Sequence, residues 1–481
     1  MPNYTYTRPE YLLAQPLWEL VKNCVAGSKA VKDRGMRYLP MPDPTNQSEE
    51  NQRRYDALLN RAMFLNVTGR TRKGLIGAVF RKTAELSLPA DIEYLKENAT
   101  GDGTSLEQLS KAAIGECLDT GRGGFFTDYP NVDAGEGIPT RAQSAGNQAH
   151  IHIYDACQII NWRTEVIGGI KKLTLVVLAE RYAEADTDEF NYEIKNQYRV
   201  LTLENGGYRH RLWKEGDEVP SLDAWPTDFS KKTFDHIPFH FFGAEDNSPD
   251  VDKAPLEDLA QVNILHYGNS ATVEESGFIS SQPTLFFTTD IEQDEFDKWN
   301  PNGIQIGSTS GYSLGKAGTV TMVQASEGQL ARTLMQDKEN QMLMIGARIV
   351  QQSGQNETAE AARIRYSSDN SVLGTVAGNV SEAIVLSLLD AWRFMSSGEP
   401  NRKNVVFWLN QEFFDESIDS QMILAQVQLW QQGFIAKKDL RINLRQAGII
   451  EADRSDKDIE ADRENEPPVE SGGELVTDED E

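Results

Sequence analysis

Cysteine is scarce in this 481-residue sequence. The three cysteines, Cys24, Cys117 and Cys157, are widely spaced, and no Cys-x-x-Cys pair occurs. An odd and sparse set argues against a disulfide framework and is typical of a reducing compartment. A zinc site built on cysteines is not expected, because such sites use closely spaced cysteine pairs.

Long hydrophobic runs are also missing. The longest strongly apolar run, Leu173–Ala179, is far shorter than the roughly 20 residues that span a bilayer. The first residues, MPNYTYTRPEYLLAQPLWEL, contain no basic region followed by an apolar stretch, so we expect no signal peptide. These features predict a protein without a membrane partner.

Basic residues are outnumbered: 47 Lys and Arg face 74 Asp and Glu, for a formal net charge of −27. The segment 451–481 holds fourteen acidic and three basic residues and almost no core-forming side chains. It is therefore predicted to be a disordered, solubilising tail. Tight binding of nucleic acid by charge neutralisation is excluded as the general function, since phosphate binding needs clustered Lys and Arg.

Catalytic motifs are few and incomplete. The stretch SGYSLGKAGT departs from the phosphate-loop template because Ser310 replaces a glycine and Ala317 replaces Ser or Thr. GRGGFF at 121–126 precedes a predicted strand, which is the wrong order for dinucleotide binding. Paired carboxylates are frequent, but none has the dry setting that general acid chemistry needs. We expect no enzyme, no cofactor and no metal.

His150 and His152 are two residues apart in a predicted strand, so both side chains point to one face. Two histidines could begin a metal site, but no third ligand has convincing spacing. The interpretation we favour for both is structural.

The chain is long enough for two to four packed units, and 39% hydrophobic residues suffice for a real core. Helical patterns come first, over 51–67, 70–83 and 105–118. Strand patterns follow from His150 to about Phe242, with a hairpin signal at Asn205-Gly206-Gly207. The predicted fold class is α+β, with helices and an antiparallel sheet.

Two helices of about 24 residues, at 254–277 and 326–350, flank a small inserted module of short strands and glycine turns. A polar stretch follows, and then a third long helix over 371–395. Its apolar residues recur at spacings of three or four: Leu373, Val376, Val380, Ile384, Leu388, Ala391 and Met395.

This order of parts resembles the portal protein of tailed bacteriophages. The stretches that resemble that family are IYDACQIINWR (Ile153–Arg163), the helix and strand of 254–287, ETAEAARIRYSSDNSVLGTVAGNVSEAI (357–384) and the C-terminal segment 405–450. No single motif is diagnostic, and the combination and its order over about residues 50 to 450 carry the resemblance.

The resemblance implies a portal-like fold with named parts. They are an N-terminal wing region (1–253), a first stem helix (254–277), a small α/β clip (278–325), a second stem helix (326–350), a tunnel loop region (351–370), a tunnel or wing helix (371–400), a wing strand with helices of the crown (401–450) and the acidic tail (451–481).

The resemblance also implies site residues. Arg363 could touch DNA phosphate, and Arg365 would lie about 200° from it on a helix, so one of the two faces the channel. Neutral polar residues would line the channel beside it: Gln351, Gln352, Ser353, Gln355, Asn356 and Thr358. Phe286, Phe287 and Trp299 are candidate aromatics of the partner-docking clip, and core positions in a small module are as good an interpretation of them. Glu257, Asp258, Glu274 and Glu275 would give the stem a negative face.

The implied assembly is a homo-oligomeric ring, typically a dodecamer, in the virion at one capsid vertex, assembled in the bacterial host cytoplasm. Double-stranded DNA would pass through the ring without sequence specificity. The implied partners are the large terminase, a head-completion adaptor, and the major capsid and scaffolding proteins.

Two other functions stay open. A non-portal ring adaptor or scaffold protein of a phage particle would share the acidity, but it would not need a helix pair around an inserted module. An α+β hydrolase would need a cleft that contains a carboxylate with a raised pKa.

Overall fold

The computed structural model describes residues 3–130, 147–185, 190–280, 284–288, 290–299, 317–323, 329–350, 359–398 and 400–411, with isolated positions further on at 413, 434, 436, 438, 440–441, 454–457 and 459–460. The chain divides into two units, Met1–Phe413 and Phe414–Glu481. In the second unit, Arg441 forms an ion pair with Glu460 at 3.0 Å.

Helices in the described residues are α1 (Pro9–Ala26), α2 (Ser28–Asp33), α3 (Glu49–Arg61), α4 (Val67–Val79), α5 (Leu106–Thr120), α6 (Glu257–Ser280), α7 (Gln293–Trp299), α8 (Gln329–Val350) and α9 (Ala359–Met395). Strands are β1 (Glu85–Ser87), β2 (Arg122–Asp128), β3 (His150–Asp155), β4 (Ile159–Ile167), β5 (Ile170–Ala185), β6 (Tyr192–Glu204), β7 (Gly207–Lys214), β8 (Leu222–Ala224), β9 (Phe239–Gly243), β10 (Thr284–Thr288), β11 (Thr319–Val323) and β12 (Val406–Trp408). The α+β prediction is confirmed.

Four antiparallel sheets form from these strands: β4-β5-β6-β7-β8, β3-β2-β9, β1-β12 and β10-β11. The predicted hairpin is confirmed, because Glu204 pairs with Gly207 across the two-residue turn Asn205-Gly206. Both turn residues have positive φ, 51° and 79°, as the turns that match the twist of a hairpin require.

Two helix boundaries differ from the predictions in the N-terminal region. The pattern over 51–67 predicts one helix, but α3 ends at Arg61 and α4 begins at Val67. The reason is a new N-cap: the Asn66 side chain accepts a hydrogen bond from the backbone N–H of Gly69 at 2.7 Å. Helix α1 has no counterpart among the sequence predictions.

The third long helix begins earlier than predicted, at Ala359 instead of residue 371. Part of the predicted tunnel loop region (351–370) is therefore helical. The segment 359–370 contains no Gly or Pro and three alanines, which favours continuation of the helix toward its N-terminus. The flanking helices shift by a few residues in the same way, to Glu257–Ser280 and Gln329–Val350.

Helix α9 is the centre of the first unit. It packs against β2, β9, α5 and β12. Six of the seven apolar residues predicted for its core face are buried, while Met395 is only partly buried. Each fully buried Val, Leu or Ile contributes about 1.5–3 kcal/mol of transfer free energy.

The segment Val372–Met395 of α9 is also long and apolar enough for a membrane span by length and composition alone. Its polar side chains nevertheless have protein partners. Ser381 Oγ accepts a hydrogen bond from the backbone N–H of Leu409 at 3.1 Å, and Ser387 Oγ donates one to the carbonyl of Ala383 at 2.9 Å. In this fold the apolar composition serves a buried core helix.

A buried polar network lies where β6 and β7 meet β2. Arg199 donates to Glu180 at 2.6 Å, lies 3.7 Å from Asp128, and donates to His210 Nε2 at 2.8 Å. Burial, and then the charge of Arg199, lower the pKa of His210 to about 3. His210 is therefore neutral in the folded protein, which leaves Nε2 free to accept.

This network predicts a pH dependence. In the folded protein, the pKa of His210 lies below its ordinary value of 6.5. As pH falls, His210 therefore binds a proton in the unfolded chain at a higher pH than in the folded protein. Folding stability is lost from about pH 6.5 toward pH 3. His210→Gln keeps an acceptor for Arg199 but does not titrate. We expect the wild type to lose up to about 3 kcal/mol more stability than this variant between pH 7 and pH 4, followed as the difference in melting temperature. Parallel pH profiles for the two proteins would contradict it.

Close packing around β2 gives a second prediction. A Cβ atom on Gly124 would lie 2.2 Å from the Phe239 ring, whereas one on the exposed Gly74 of α4 would meet nothing within 4 Å. Gly124→Ala should destabilise the first unit by roughly 1–3 kcal/mol through overpacking. Gly74→Ala, the matched control, should stabilise it by about 0.5–1 kcal/mol. Thermal melts of both variants check this, and equal melting temperatures would be the contrary result.

Candidate functional site: the helix pair and its hairpin module

Helix α6 is fixed to the body by a buried asparagine. Asn263 is fully buried, and its Oδ1 accepts hydrogen bonds from the backbone N–H of Thr68 at 3.2 Å and from Thr68 Oγ1 at 2.9 Å. Its Nδ2 donates to the carbonyl of Leu65 at 2.8 Å. These bonds tie α6 to the first turn of α4, so the first part of the helix pair has a defined position.

Further along α6, Glu275 is paired with two arginines of α3. Arg54 Nε lies 3.4 Å from the carboxylate, and Arg61 forms a shorter ion pair with it. The Arg61 guanidinium also lies 4.1 Å from the centre of the Phe278 ring. Of the four acidic residues predicted to give the stem a negative face, Glu275 is thus paired with cations of α3.

The other acidic residues of α6 have different surroundings. Asp258 forms an ion pair with Lys253 at 2.7 Å, and Glu257 accepts a hydrogen bond from Gln261 at 3.0 Å. Glu274 is exposed to solvent. No Lys or Arg occurs anywhere in 257–280, so α6 stays acidic on its solvent side.

Helix α8 packs on α6 and leaves three apolar side chains exposed among polar ones on the same face. Between the two helices, the buried His266 places Nε2 3.1 Å from Glu339 Oε1. On α8, Leu330, Leu334 and Met344 expose 74%, 40% and 61% of their surface. At about 100° per residue these three side chains lie within roughly 80° of one another around the helix. Sequence analysis did not single them out, although the spacing of Leu330 and Leu334 by four residues was a usable signal.

The inserted module contains the hairpin β10–β11 and the short helix α7. Phe286 pairs with Thr321 and Phe287 pairs with Val320 across the hairpin, and Trp299 is the last residue of α7. Both phenylalanines therefore lie in strand β10 of the module. Their docking role stays a prediction, because their side chains lie outside the described part of the structure.

The predicted channel residues lie between α8 and α9. Gln351, Gln352, Ser353, Gln355, Asn356 and Thr358 lie outside the described residues. Arg363 is in the N-terminal part of α9. The structure therefore places the ends of this segment, at Val350 and Ala359, and the channel assignment stays a prediction.

His150 and His152 lie in β3, opposite Asp128 and Phe126 of β2. Burial is the first cause that lowers the pKa of each. The one cluster of three or more possible metal ligands in the described residues does not include either histidine. Their structural interpretation stays a prediction.

Several carboxylates have raised pKa values, the feature that a hydrolase would need. Burial is the first cause for Glu116, Asp119 and Asp128, and it raises the pKa of Asp119 to about 6. Each one, however, faces a cation: Glu116 faces Lys22 at 3.1 Å, Asp119 faces Arg72 at 2.7 Å and Asp128 faces Arg199 at 3.7 Å. These arrangements are typical of internal ion pairs that join elements of the fold.

Comparison with known proteins adds a partial match. Residues 255–395, from the start of α6 to the end of α9, match the family model described as "Domain of unknown function (DUF4055)". No curated protein matches the chain.

Three solved structures contain similar chains, each with 12% sequence identity. One is the virion of a native gene transfer agent (GTA) particle, with a TM-score of 0.39, covering 86% of this chain and 98% of that chain. The second is the neck of a native GTA particle computed with C12 symmetry, with a TM-score of 0.37 and coverages of 79% and 89%. The third is the neck of an empty GTA particle computed with C6 symmetry, with a TM-score of 0.39 and coverages of 87% and 98%. Similarity at this level says nothing about what this chain does.

The Glu275 pair generates a prediction with an adjacent control. Glu275→Ala removes the carboxylate that Arg54 and Arg61 share, and we expect a loss of about 1 kcal/mol, because the pair is partly exposed. Glu274→Ala, one residue earlier and exposed, should change stability by less than about 0.5 kcal/mol. Melting temperatures of the two variants measure the difference, and a larger effect at Glu274 would show that the ion pair does not anchor α6.

Proposed function

We propose that this chain is the subunit of a phage portal: a ring of copies, typically twelve, that forms the channel for DNA packaging and ejection at one capsid vertex. The observation that carries the proposal is the helix pair α6–α8. It flanks an inserted hairpin module, is anchored to the body at Asn263, and leaves Leu330, Leu334 and Met344 uncovered on α8. Apolar residues that share a helix face and lie open to water are a reason to assemble.

A ring follows from a heterologous contact. If the uncovered face of α8 packs against a different surface of the next copy, each copy can repeat the contact, and the series closes when the rotation divides a full turn. The anchored base of α6 would hold every helix pair at one angle to its body. This rigidity is what a closed ring of fixed subunit number requires.

The charge of the protein suits a channel for moving DNA. A duplex that must slide cannot be held by many Lys and Arg contacts, since each phosphate contact adds to the free energy of binding. The chain has a net charge of −27, and residues 257–280 have no basic side chain. Arg363 and the neutral polar residues at 351–358 would then supply weak, sequence-independent contacts with DNA.

Other parts of the proposal concern partners. The hairpin module, with Phe286, Phe287 and Trp299, would dock the large terminase during packaging and the head-completion adaptor afterwards. The body would contact the major capsid and scaffolding proteins, and the finished ring would belong to the virion after assembly in the host cytoplasm. We propose no bond chemistry for the chain itself, since Glu116, Asp119 and Asp128 each face a cation.

The test is electron microscopy of the purified protein with class averages analysed for symmetry. Closed rings of about twelve copies, with a central hole that admits a DNA duplex, are the expected result. A solid or open assembly that lacks a central hole would favour the scaffold alternative. A monomer at every concentration, also in the presence of scaffolding protein, would contradict the portal proposal.

The uncovered face of α8 gives a variant test. Leu334→Glu would bury an unpaired charge at the subunit contact, at a cost of roughly 2 kcal/mol or more per contact. We expect ring assembly to weaken at least about 30-fold, measured by sedimentation velocity.

The matched control adds the same charge elsewhere on the helix. Gln336 is exposed and lies about 160° from Leu334 around α8, so Gln336→Glu should assemble like the wild type. If the Leu334→Glu variant still forms intact rings, this face of α8 is not part of the contact between subunits.

A further inference from the structure

Two histidines and an aspartate converge where α9 crosses the start of β9. His236 Nε2 lies 2.9 Å from Asp390 Oδ1, and His240 Nε2 lies 2.7 Å from Asp390 Oδ2. The three side chains each offer one ligand atom, and those atoms all lie within 4.8 Å of one another. Three potential ligands so close together can share one metal ion after small side-chain rotations.

The fold fixes the backbone on both sides of this cluster. His240 lies in β9 opposite Phe125 of β2, and the carbonyl of Pro238 accepts a hydrogen bond from the backbone N–H of Thr127 at 2.9 Å. Thr127 Oγ1 in turn donates to the carbonyl of Ser387 in α9 at 3.1 Å. Thr127 thus joins the histidine segment to the helix that carries Asp390, which sets the ligand positions in advance.

The groups around His236 favour a ligating nitrogen. Its Nδ1 lies 3.0 Å from Asp235 Oδ1, and a guanidinium nitrogen of Arg393 lies at 3.3 Å from the same Nδ1. When Asp235 accepts a hydrogen bond from Nδ1, a neutral imidazole keeps the lone pair of Nε2 for a ligand on the Asp390 side. A carboxylate behind a ligating histidine is the usual arrangement in metal sites. At 2.9 Å, Nε2 and Asp390 Oδ1 are joined either by a proton on Nε2 or by a cation that both atoms bind.

We propose that His236, His240 and Asp390 bind one divalent transition-metal ion, with zinc as the expected species. Two imidazoles and one carboxylate are a ligand set that zinc accepts, with a fourth position for water. The side chain of His236 is 28% exposed and that of Asp390 is 4% exposed, so the fourth position would face the solvent side of the cluster. The ion would join α9 to the β9 segment as a structural clamp and needs no catalytic role.

The experiment uses the full-length protein after dialysis against a chelator. Co²⁺ serves as the spectroscopic probe for the zinc site, and Zn²⁺ binding is measured by calorimetry. We expect one ion per chain, visible absorption from the bound Co²⁺, and a higher melting temperature with Zn²⁺, because an ion that binds only the folded state stabilises it.

Two variants separate ligation from folding. His240→Ala removes a ligand and should abolish the Co²⁺ spectrum. Asp235→Asn changes an exposed residue behind His236, keeps all three ligands, and should weaken metal binding by about 10–100-fold while the protein stays folded. The control is His152→Ala, a histidine of β3 outside the cluster, which should bind metal like the wild type.

The overturning results are equally specific. Wild-type protein that binds no Co²⁺ or Zn²⁺ at 1:1 stoichiometry would show that a shared proton, and not a metal, holds the cluster together. Unchanged binding in both His240→Ala and Asp235→Asn would place the bound metal elsewhere. Neither result bears on ring assembly, because the cluster lies on β9 and α9 and the ring test depends on α8.

Discussion

The apolar face of α9 lies against β2, β9 and α5, and this contact determines where most other parts of the first unit lie. Because Val376, Val380, Ile384 and Leu388 are all fully buried, moving the helix would expose a continuous strip of the core. The three-stranded sheet β3-β2-β9 is held on one side by this helix. Glycines at 123 and 124 allow the rings of Phe242 and Phe239 to pack directly on β2.

Burial of α9 also explains the polar groups around it. A helix that is buried over much of its length needs partners for its polar side chains, since an unpaired buried group is costly. Ser381 binds the backbone at Leu409, and Asp390 receives two histidines. Trp392 donates to Asp91 at 3.3 Å. The same helix continues toward Ala359, beside the predicted channel segment, so a rigid core element leads directly to the part of the chain that would meet DNA.

The helix pair has the opposite character. Helix α6 is held by buried polar contacts at Asn263 and by the Glu275 ion pair, whereas α8 packs mainly on α6 and has smaller contacts with α4 and α9. A single chain leaves α8 with more apolar surface than a finished surface helix needs. Assembly of many copies would complete it, so the stability of this region and the proposed ring would share one physical cause.

Much of this could be predicted from the sequence. Periods of 3.6 and 2 residues predicted α5, α6, α8, the hairpin at Asn205-Gly206 and the core face of α9, because local spacing alone decides which side chains share a face. The boundaries of the helices were predicted less accurately. The start of α4 depends on a single side chain, the N-cap Asn66, and the start of α9 at Ala359 depends on helix propensity summed over several residues.

Local patterns could not reveal contacts between distant segments. Asp390 lies 150 residues beyond His240, and Glu275 lies more than 200 residues beyond its arginines, so no spacing rule joins them. Tertiary structure alone decided that Glu275 is neutralised, that the carboxylate of Asp119 faces Arg72, and that Leu334 is left uncovered. The sequence by itself determined the fold class, the order of elements and the acidic charge, because these depend on composition and on local period. Which charges remain free and which surfaces remain open depends on the packing of the whole chain.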